Sequence, residues 1–251
     1  MWGWILFAAG LLLLGAFLYW AFVITEGAYL GTRVVTWTYD LAAHRYDRIK
    51  QFKLADDVWV LAWPMLNKLK GIYCPLVLDV ATGTGRMPYA LLTRPSFQGH
   101  VIGLDFSRKM LRQADAKLSR YAGRYTLVWH DAQQLPFPDE TFDAVCCLEA
   151  LEFMPSAQRV LSEMFRVLCP GGVFLVSNRI NWERRLMPGK AFTDARLRAM
   201  LENVGLVRIE FRPWQVYYDL IWARKEGKRS LVGQSVEEIQ ELLDKKLLLW
   251  R

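Results

Sequence analysis

Charge is absent from the first 25 residues: a chain of 251 residues with net charge +7 places no Asp, Glu, Lys or Arg there. A core helix would need a polar face, and this stretch has none. Met1-Trp2-Gly3-Trp4 also lacks the basic residues that open a secretory signal. Residues 1–25 therefore read as a transmembrane anchor, spanning roughly 35 Å at ~1.5 Å per residue against a hydrocarbon core of ~30 Å. Trp2, Trp4, Tyr19 and Trp20 lie toward its ends, as interfacial aromatics do. Cysteine is also scarce. Cys74, Cys146, Cys147 and Cys169 form no Cys-x-x-Cys, which argues against a thiol metal site and fits a reduced compartment. No long basic run is present, so nucleic acid is not an expected partner. Internal repeats and low-complexity linkers are absent too.

Positive charge begins only after the anchor, with Arg33, then Arg45, Arg48 and Lys50. The positive-inside rule then predicts a single-pass membrane protein whose main domain is cytoplasmic. Four segments follow from the pattern: the anchor at 1–25, a connector at 26–38, a folded domain at 39–225 and an amphipathic helical extension at 226–251. A helical stretch over 39–69, broken or kinked near Pro64, opens the domain. From Leu76 onward apolar strands alternate with helices, ending in two strands around Arg212-Pro213-Trp214. Such alternation predicts an α/β fold with a mostly parallel sheet that binds ligands beyond the carboxyl ends of its strands. Residues 178–192 read as irregular. The extension from Ser235 to Trp250 could lie on the membrane, pair with another chain or pack on the domain, the last being the default.

The most informative segment is Val77-Leu78-Asp79-Val80-Ala81-Thr82-Gly83-Thr84-Gly85, followed twenty residues on (105 − 85) by Asp105 at the end of a second apolar run. Small residues in the turn let the backbone approach a nucleotide, and the acid can accept from both hydroxyls of a ribose. The complete Gly-x-Gly-x-x-Gly of nicotinamide enzymes is missing, because Met87 and Pro88 follow Gly85-Arg86.

Those nine residues resemble motif I of the class I S-adenosylmethionine-dependent methyltransferases, in the wording of the ubiquinone/menaquinone-biosynthesis group. Asp131-Ala132-Gln133-Gln134-Leu135-Pro136-Phe137-Pro138-Asp139, Phe142-Asp143-Ala144-Val145 and Arg166-Val167-Leu168-Cys169-Pro170-Gly171-Gly172 resemble three further blocks, with Cys169 where lysine is common. Tyr39-Asp40 and Tyr46-Asp47 resemble that group's cap over the cofactor. The resemblance implies a Rossmann-like sheet of seven strands with the last antiparallel, and S-adenosylmethionine as cofactor. It implies that Asp79, Ala81, Thr82, Gly83, Thr84 and Gly85 pass close to the methionine moiety. Asp105 would take the ribose, Phe106 and Met110 would pack on the adenine, and Asp131 with Ala132 would read its edge. Leu148 and Tyr46 complete the expected cofactor contacts.

Glu149 and Glu152 match two acids of a stretch that in some relatives also carries a metal- or acceptor-binding histidine, but Phe153 stands where that histidine belongs. No metal site is expected from two carboxylates alone. Methyl transfer from a sulfonium relies on alignment, and a base is needed only when the acceptor must lose a proton. Glu149, His44 and His130 are candidates, and the catalytic residue stays unassigned. The Asn/Asp-Pro-Pro-aromatic turn of many nucleic-acid methyltransferases is replaced by Cys147-Leu148-Glu149-Ala150. The anchor points to a small lipophilic acceptor of quinone-precursor or lipid type, with Trp182, Phe192, Trp214 and Tyr217 in the segments that would build its pocket. The alternatives are a protein or nucleic-acid acceptor, a membrane-tethered binding module that has lost catalysis, and a nicotinamide-dependent oxidoreductase. Oligomeric state is not readable.

Overall fold

A computed structural model describes residues 2–228, 235–246 and 248–250. Seven strands form one sheet in the order β3-β2-β1-β4-β5-β7-β6. They are β1 (Leu76–Val80), β2 (His100–Asp105), β3 (Tyr125–Trp129), β4 (Phe142–Cys147), β5 (Leu168–Arg179), β6 (Leu206–Pro213) and β7 (Tyr218–Lys225). The first five are parallel, and β7 runs antiparallel to both β5 and β6. The α/β class, seven strands and single antiparallel strand match the expectation. Apolar continuity puts every residue of β1 and β4 inside, with a separate apolar layer on each face of the sheet. Strand order reverses between β1 and β4, which opens a crevice at their carboxyl ends.

Trp2–Ile24 is a continuous helix of mean hydropathy 2.2 with almost nothing buried, long and apolar enough to cross a membrane. Its last turn, Trp20–Ile24, is a π-turn. The predicted connector is shorter than 26–38, because a helix already starts at Thr32 (the cap helix, Thr32–Ala42). Gly31 at φ 90° reverses the chain just before it, a conformation glycine adopts without penalty. The predicted helix over 39–69 is interrupted in more places than the one expected near Pro64. Short pieces at Tyr46–Ile49 and Leu54–Asp57 flank an unwound step, and a π-turn at Val58–Ala62 leads into Trp63–Lys68. Pro64 sits in the first turn of that last piece, where its missing N–H matters least, and the irregularity falls on the turn before it.

The stretch read as irregular contains more order than expected, since β5 runs to Arg179 and Asn181–Arg185 forms a short helix. Val216 and Tyr217 lie in the turn before β7 rather than in a strand. In the extension, a capping box from Ser235 and Glu238 starts the helix Val236–Lys245, which buries Ile239 and Leu243 in the core. Leu248 to Trp250 then lie along the β3 edge, with Trp129 N donating to Leu248 O at 3.1 Å and Trp250 N to Leu127 O at 3.0 Å. The extension thus packs on the domain and covers an otherwise open strand edge. Residues 229–234 and Leu247, inside the predicted extension, lie outside the described residues.

Candidate active site

The next-to-last residue of β1 is a buried carboxylate. Asp79 is 3% exposed. Thr82 Oγ1 donates to its Oδ2 at 2.7 Å and Cys146 Sγ to its Oδ1 at 3.2 Å. Both partners are internal, so Asp79 shapes the turn that follows. Ala81 (φ 54°), Gly83 (φ 54°) and Gly85 (φ 77°) are all left-handed in that turn. Gly85 is required by packing as well, since a Cβ there would stand 3.2 Å from Ala114 Cβ. A Cβ on Gly83 would meet nothing within 4 Å. The space beside Gly83 belongs to the crevice.

Two cavities meet at this turn, enclosing about 790 and 380 Å³ with their mouths. Tyr46, Ala81, Gly83, Leu148 and Glu149 line both, so they form one channel. The smaller also touches Asp79, Thr82 and Thr84, while the larger is lined by Asp105, Phe106, Met110, Asp131 and Ala132. Of the expected cofactor residues only Gly85 stays out of the walls, and its role is steric. His44 is exposed and away from the channel, whereas His130 lines it.

Asp105 is held by Gly83 N on Oδ2 and Ser107 N on Oδ1, both at 2.8 Å. Burial raises its pKa to about 6, against the pull of those amides. Phe106 and Trp129 stack at 6.2 Å, giving a flat wall for a planar base. Asp131 accepts from Gln133 N at 2.9 Å, in a turn that fixes its carboxylate at the channel. A ribose, an adenine and an amino-acid end fit this sequence of acceptor, platform and left-handed turn. The ionised carboxylate accepts from two hydroxyls and the protonated one does not. Affinity for S-adenosylhomocysteine is therefore expected to rise about tenfold per pH unit below about pH 6 and to level off above it. Calorimetry across that range checks this, and a flat profile would remove Asp105 from the ribose contact.

The two Tyr-Asp pairs divide their labour. Their acids tie the cap to the nucleotide loops: Ser107 Oγ donates to Asp40 Oδ1 at 2.5 Å, and Thr84 Oγ1 donates to Asp47, which also pairs with Lys117. Their tyrosines, Tyr39 and Tyr46, stand 5.7 Å apart in the channel wall. Sequence reasoning missed the cation at the inner end. Arg86 bridges Asp57 and Glu149, both at 2.6 Å, with its guanidinium between Phe52 at 3.9 Å and Trp214 at 4.6 Å. Lys50 and Gln215 reach the same Glu149 carboxylate. Glu149 is thus an anchored acceptor rather than a free base, and Trp214 packs on Arg86.

Glu152, the second of the two matched acids, is also held by partners. It is 2% exposed and pairs with Arg179 at 3.2 Å, while Tyr218 OH donates to it at 2.6 Å. Arg179 also pairs with Glu183 at 3.2 Å and with Glu26, just past the apolar helix, at 3.3 Å. Tyr39 OH donates to Glu26 at 2.8 Å, which carries this buried network to the channel wall. Among the described residues no cluster of three or more His, Cys, Asp or Glu is placed to hold a metal. Phe192 is buried in the core, and Trp182 and Tyr217 are exposed.

Residues 77–172 match the family model described as "Methyltransferase domain". The demethylmenaquinone methyltransferase of Anoxybacillus flavithermus is 44% identical over 96 residues, 38% of this chain and 40% of its own length. The matched part thus spans less than half of that relative. A solved S-adenosylmethionine-dependent methyltransferase from Aquifex aeolicus superposes with TM-score 0.57 at 18% identity, over 70% of this chain and 95% of that one. The [4+2]-cyclase SpnF superposes with TM-score 0.64 at 18% identity, over 79% and 97%. These two likenesses show the fold. Residues 77–172 thus match a methyltransferase domain and are similar to the demethylmenaquinone methyltransferases, and the sheet order is that of a fold shared with solved S-adenosylmethionine-dependent methyltransferases.

Proposed function

We propose that the chain is a membrane-anchored enzyme that transfers a methyl group from S-adenosylmethionine to a small lipophilic acceptor of the quinone-precursor or lipid type, with its catalytic domain in the cytoplasm. One observation carries the reading. The segment directly after the apolar helix supplies Thr32, Val35, Thr36 and Tyr39 to the wall of the same channel that Asp105 and Gly83 line. An acceptor dissolved in the bilayer then reaches the channel without crossing water.

Bound S-adenosylmethionine supplies a methyl group on a sulfonium, ready for in-line displacement. The chain's own residues hold and orient. Asp105 fixes the ribose, the turn at Ala81 to Gly85 leaves room for the methionine end, and Asp131 with Ala132 sets the adenine. Tyr39, Tyr46 and Phe153 close an apolar wall that excludes water from the reacting atoms. Glu149, paired with Arg86 and Lys50, keeps the inner end rigid. No side chain is assigned as a base, and an acceptor already ionised or nucleophilic at neutral pH needs none.

The alternative is a binding module that holds the cofactor without turnover, favoured by the full pairing of Glu149. Titrating the full chain in detergent with S-adenosylmethionine, S-adenosylhomocysteine and NAD tests the cofactor. The first two are expected to bind and NAD not to. Binding of NAD alone would overturn the reading. Transfer of labelled methyl to a membrane extract then separates enzyme from module, since the module gives none.

A further inference from the structure

Two segments flank the base of the apolar helix and expose apolar side chains. Trp20 Nε1 donates to Leu186 O at 3.0 Å, and Tyr29 OH donates to Pro188 O at 2.8 Å, so the loop around 186–188 is clamped against the helix end. Arg179 Nη1 adds a third tie, donating to Ile24 O at 3.2 Å. On one side the cap helix begins. Its inner face lines the channel, yet its outer stripe, spaced i, i+4, i+8, reads Arg33, Trp37 and Leu41. Trp37 is 56% and Leu41 55% exposed. On the other side lies the short helix Asn181–Arg185, where Trp182 is 54% exposed beside an exposed Arg185.

We propose that this outer stripe and the Trp182–Arg185 turn form a second membrane contact, one that lays the rim of the channel on an anionic lipid surface. The proposal rests on the anchored reading above and adds the surface and lipid chemistry to it. Tryptophan prefers the headgroup level, where its ring meets acyl chains and its N–H stays hydrated. Arginine beside it reaches lipid phosphates. The occupant follows from position, because both segments are fastened to the last turn of the helix that enters the bilayer. A contact there adds a second hold on the domain's orientation and aims the channel at its lipophilic substrate.

The test uses the full chain in nanodiscs of phosphatidylglycerol mixed with phosphatidylcholine, or of phosphatidylcholine alone. A polarity-sensitive dye is placed by Leu41→Cys or by Trp182→Cys, each with Cys74→Ser to remove the exposed native thiol. Gln98→Cys, exposed at the amino end of β2, is the control at the opposite end of the sheet. Dyes at 41 and 182 are expected to be blue-shifted and quenched by nitroxide lipid in the anionic discs, with the dye at 98 unaffected. Arg33→Gln combined with Arg185→Gln is expected to lower the docked-to-undocked ratio on the order of thirtyfold. Water-like emission at both 41 and 182 would overturn the proposal, and equal quenching in the two lipid compositions would overturn its anionic part. Titrating the same labelled chains with S-adenosylhomocysteine separates the two readings. Retained binding with undocked dyes sinks the contact alone, whereas docking without binding supports the contact and sinks the cofactor assignment.

Discussion

Arg179→Ala is expected to destabilise the protein by about 3–5 kcal/mol, the largest effect of any single substitution considered. Arg179 is 4% exposed and faces Glu152, Glu183 and Glu26. Taking a buried charge pair out whole is often nearly neutral, but removing one partner strands the other in a medium that cannot solvate it. Here Glu152 would keep only the Tyr218 hydroxyl. Burial already raises the Glu152 pKa, with Arg179 pulling it down, so losing the arginine raises it further. The sign follows from linkage. A carboxyl whose folded pKa lies above its unfolded value binds more protons in the native state over the interval between them, and stability there falls as pH rises. The variant should therefore lose most at neutral pH and recover as pH drops toward the unfolded carboxyl range. Adding Glu152→Gln should restore part of the loss. Thermal melts of the detergent-solubilised chain at about pH 5 and about pH 8 decide it. Equal melting of variant and wild type at the higher pH would show that the network carries no weight. Because Glu26 and Tyr39 belong to the network, the variant also tests whether the membrane end holds the channel wall in place.

Asp105→Asn is expected to weaken S-adenosylhomocysteine binding by more than about tenfold, with a smaller loss of stability than Asp105→Ala. Hydrogen bonds to a charged partner contribute about 1.5–3 kcal/mol. The amide keeps one acceptor oxygen for the Gly83 or Ser107 N–H but cannot accept from both ribose hydroxyls as well. Its NH2 faces the other backbone N–H without an acceptor, so stability should fall modestly, partly offset because burial already disfavours the charge at this position. Asp105→Ala goes further. It leaves two backbone amides without their acceptor, so it should lose both affinity and the shape of the Gly83 turn. Affinity falling in both variants, with stability falling further in the alanine variant, identifies a ligand-facing carboxylate. Unchanged affinity in both would remove the pocket assignment.

Much that depends on near neighbours along the chain was legible before any fold was known. The apolar helix, the strand–helix alternation, the motif I turn and the acid closing β2 are each written within a few dozen residues. Strand period, turn sterics and charge are local properties. Twelve of the thirteen expected cofactor residues line one channel, because a parallel sheet delivers the ends of β1, β2, β3 and β4 to the same edge. Tyr39-Asp40 and Tyr46-Asp47 were legible as a pattern, while the split of acids to loops and tyrosines to the wall was not. The interruption near Pro64 was legible, while the unwound step between Ile49 and Leu54 escaped because an apolar period continues across it. Partnerships of buried charges belong to the tertiary structure alone. Arg86 lies 29 residues from Asp57 and 63 from Glu149, and Arg179 lies 153 from Glu26. Nothing in a local window distinguishes such an arginine from a solvated one, because its partner is chosen by packing. The cost of leaving a charge unpaired inside the fold is what holds those distant partners together.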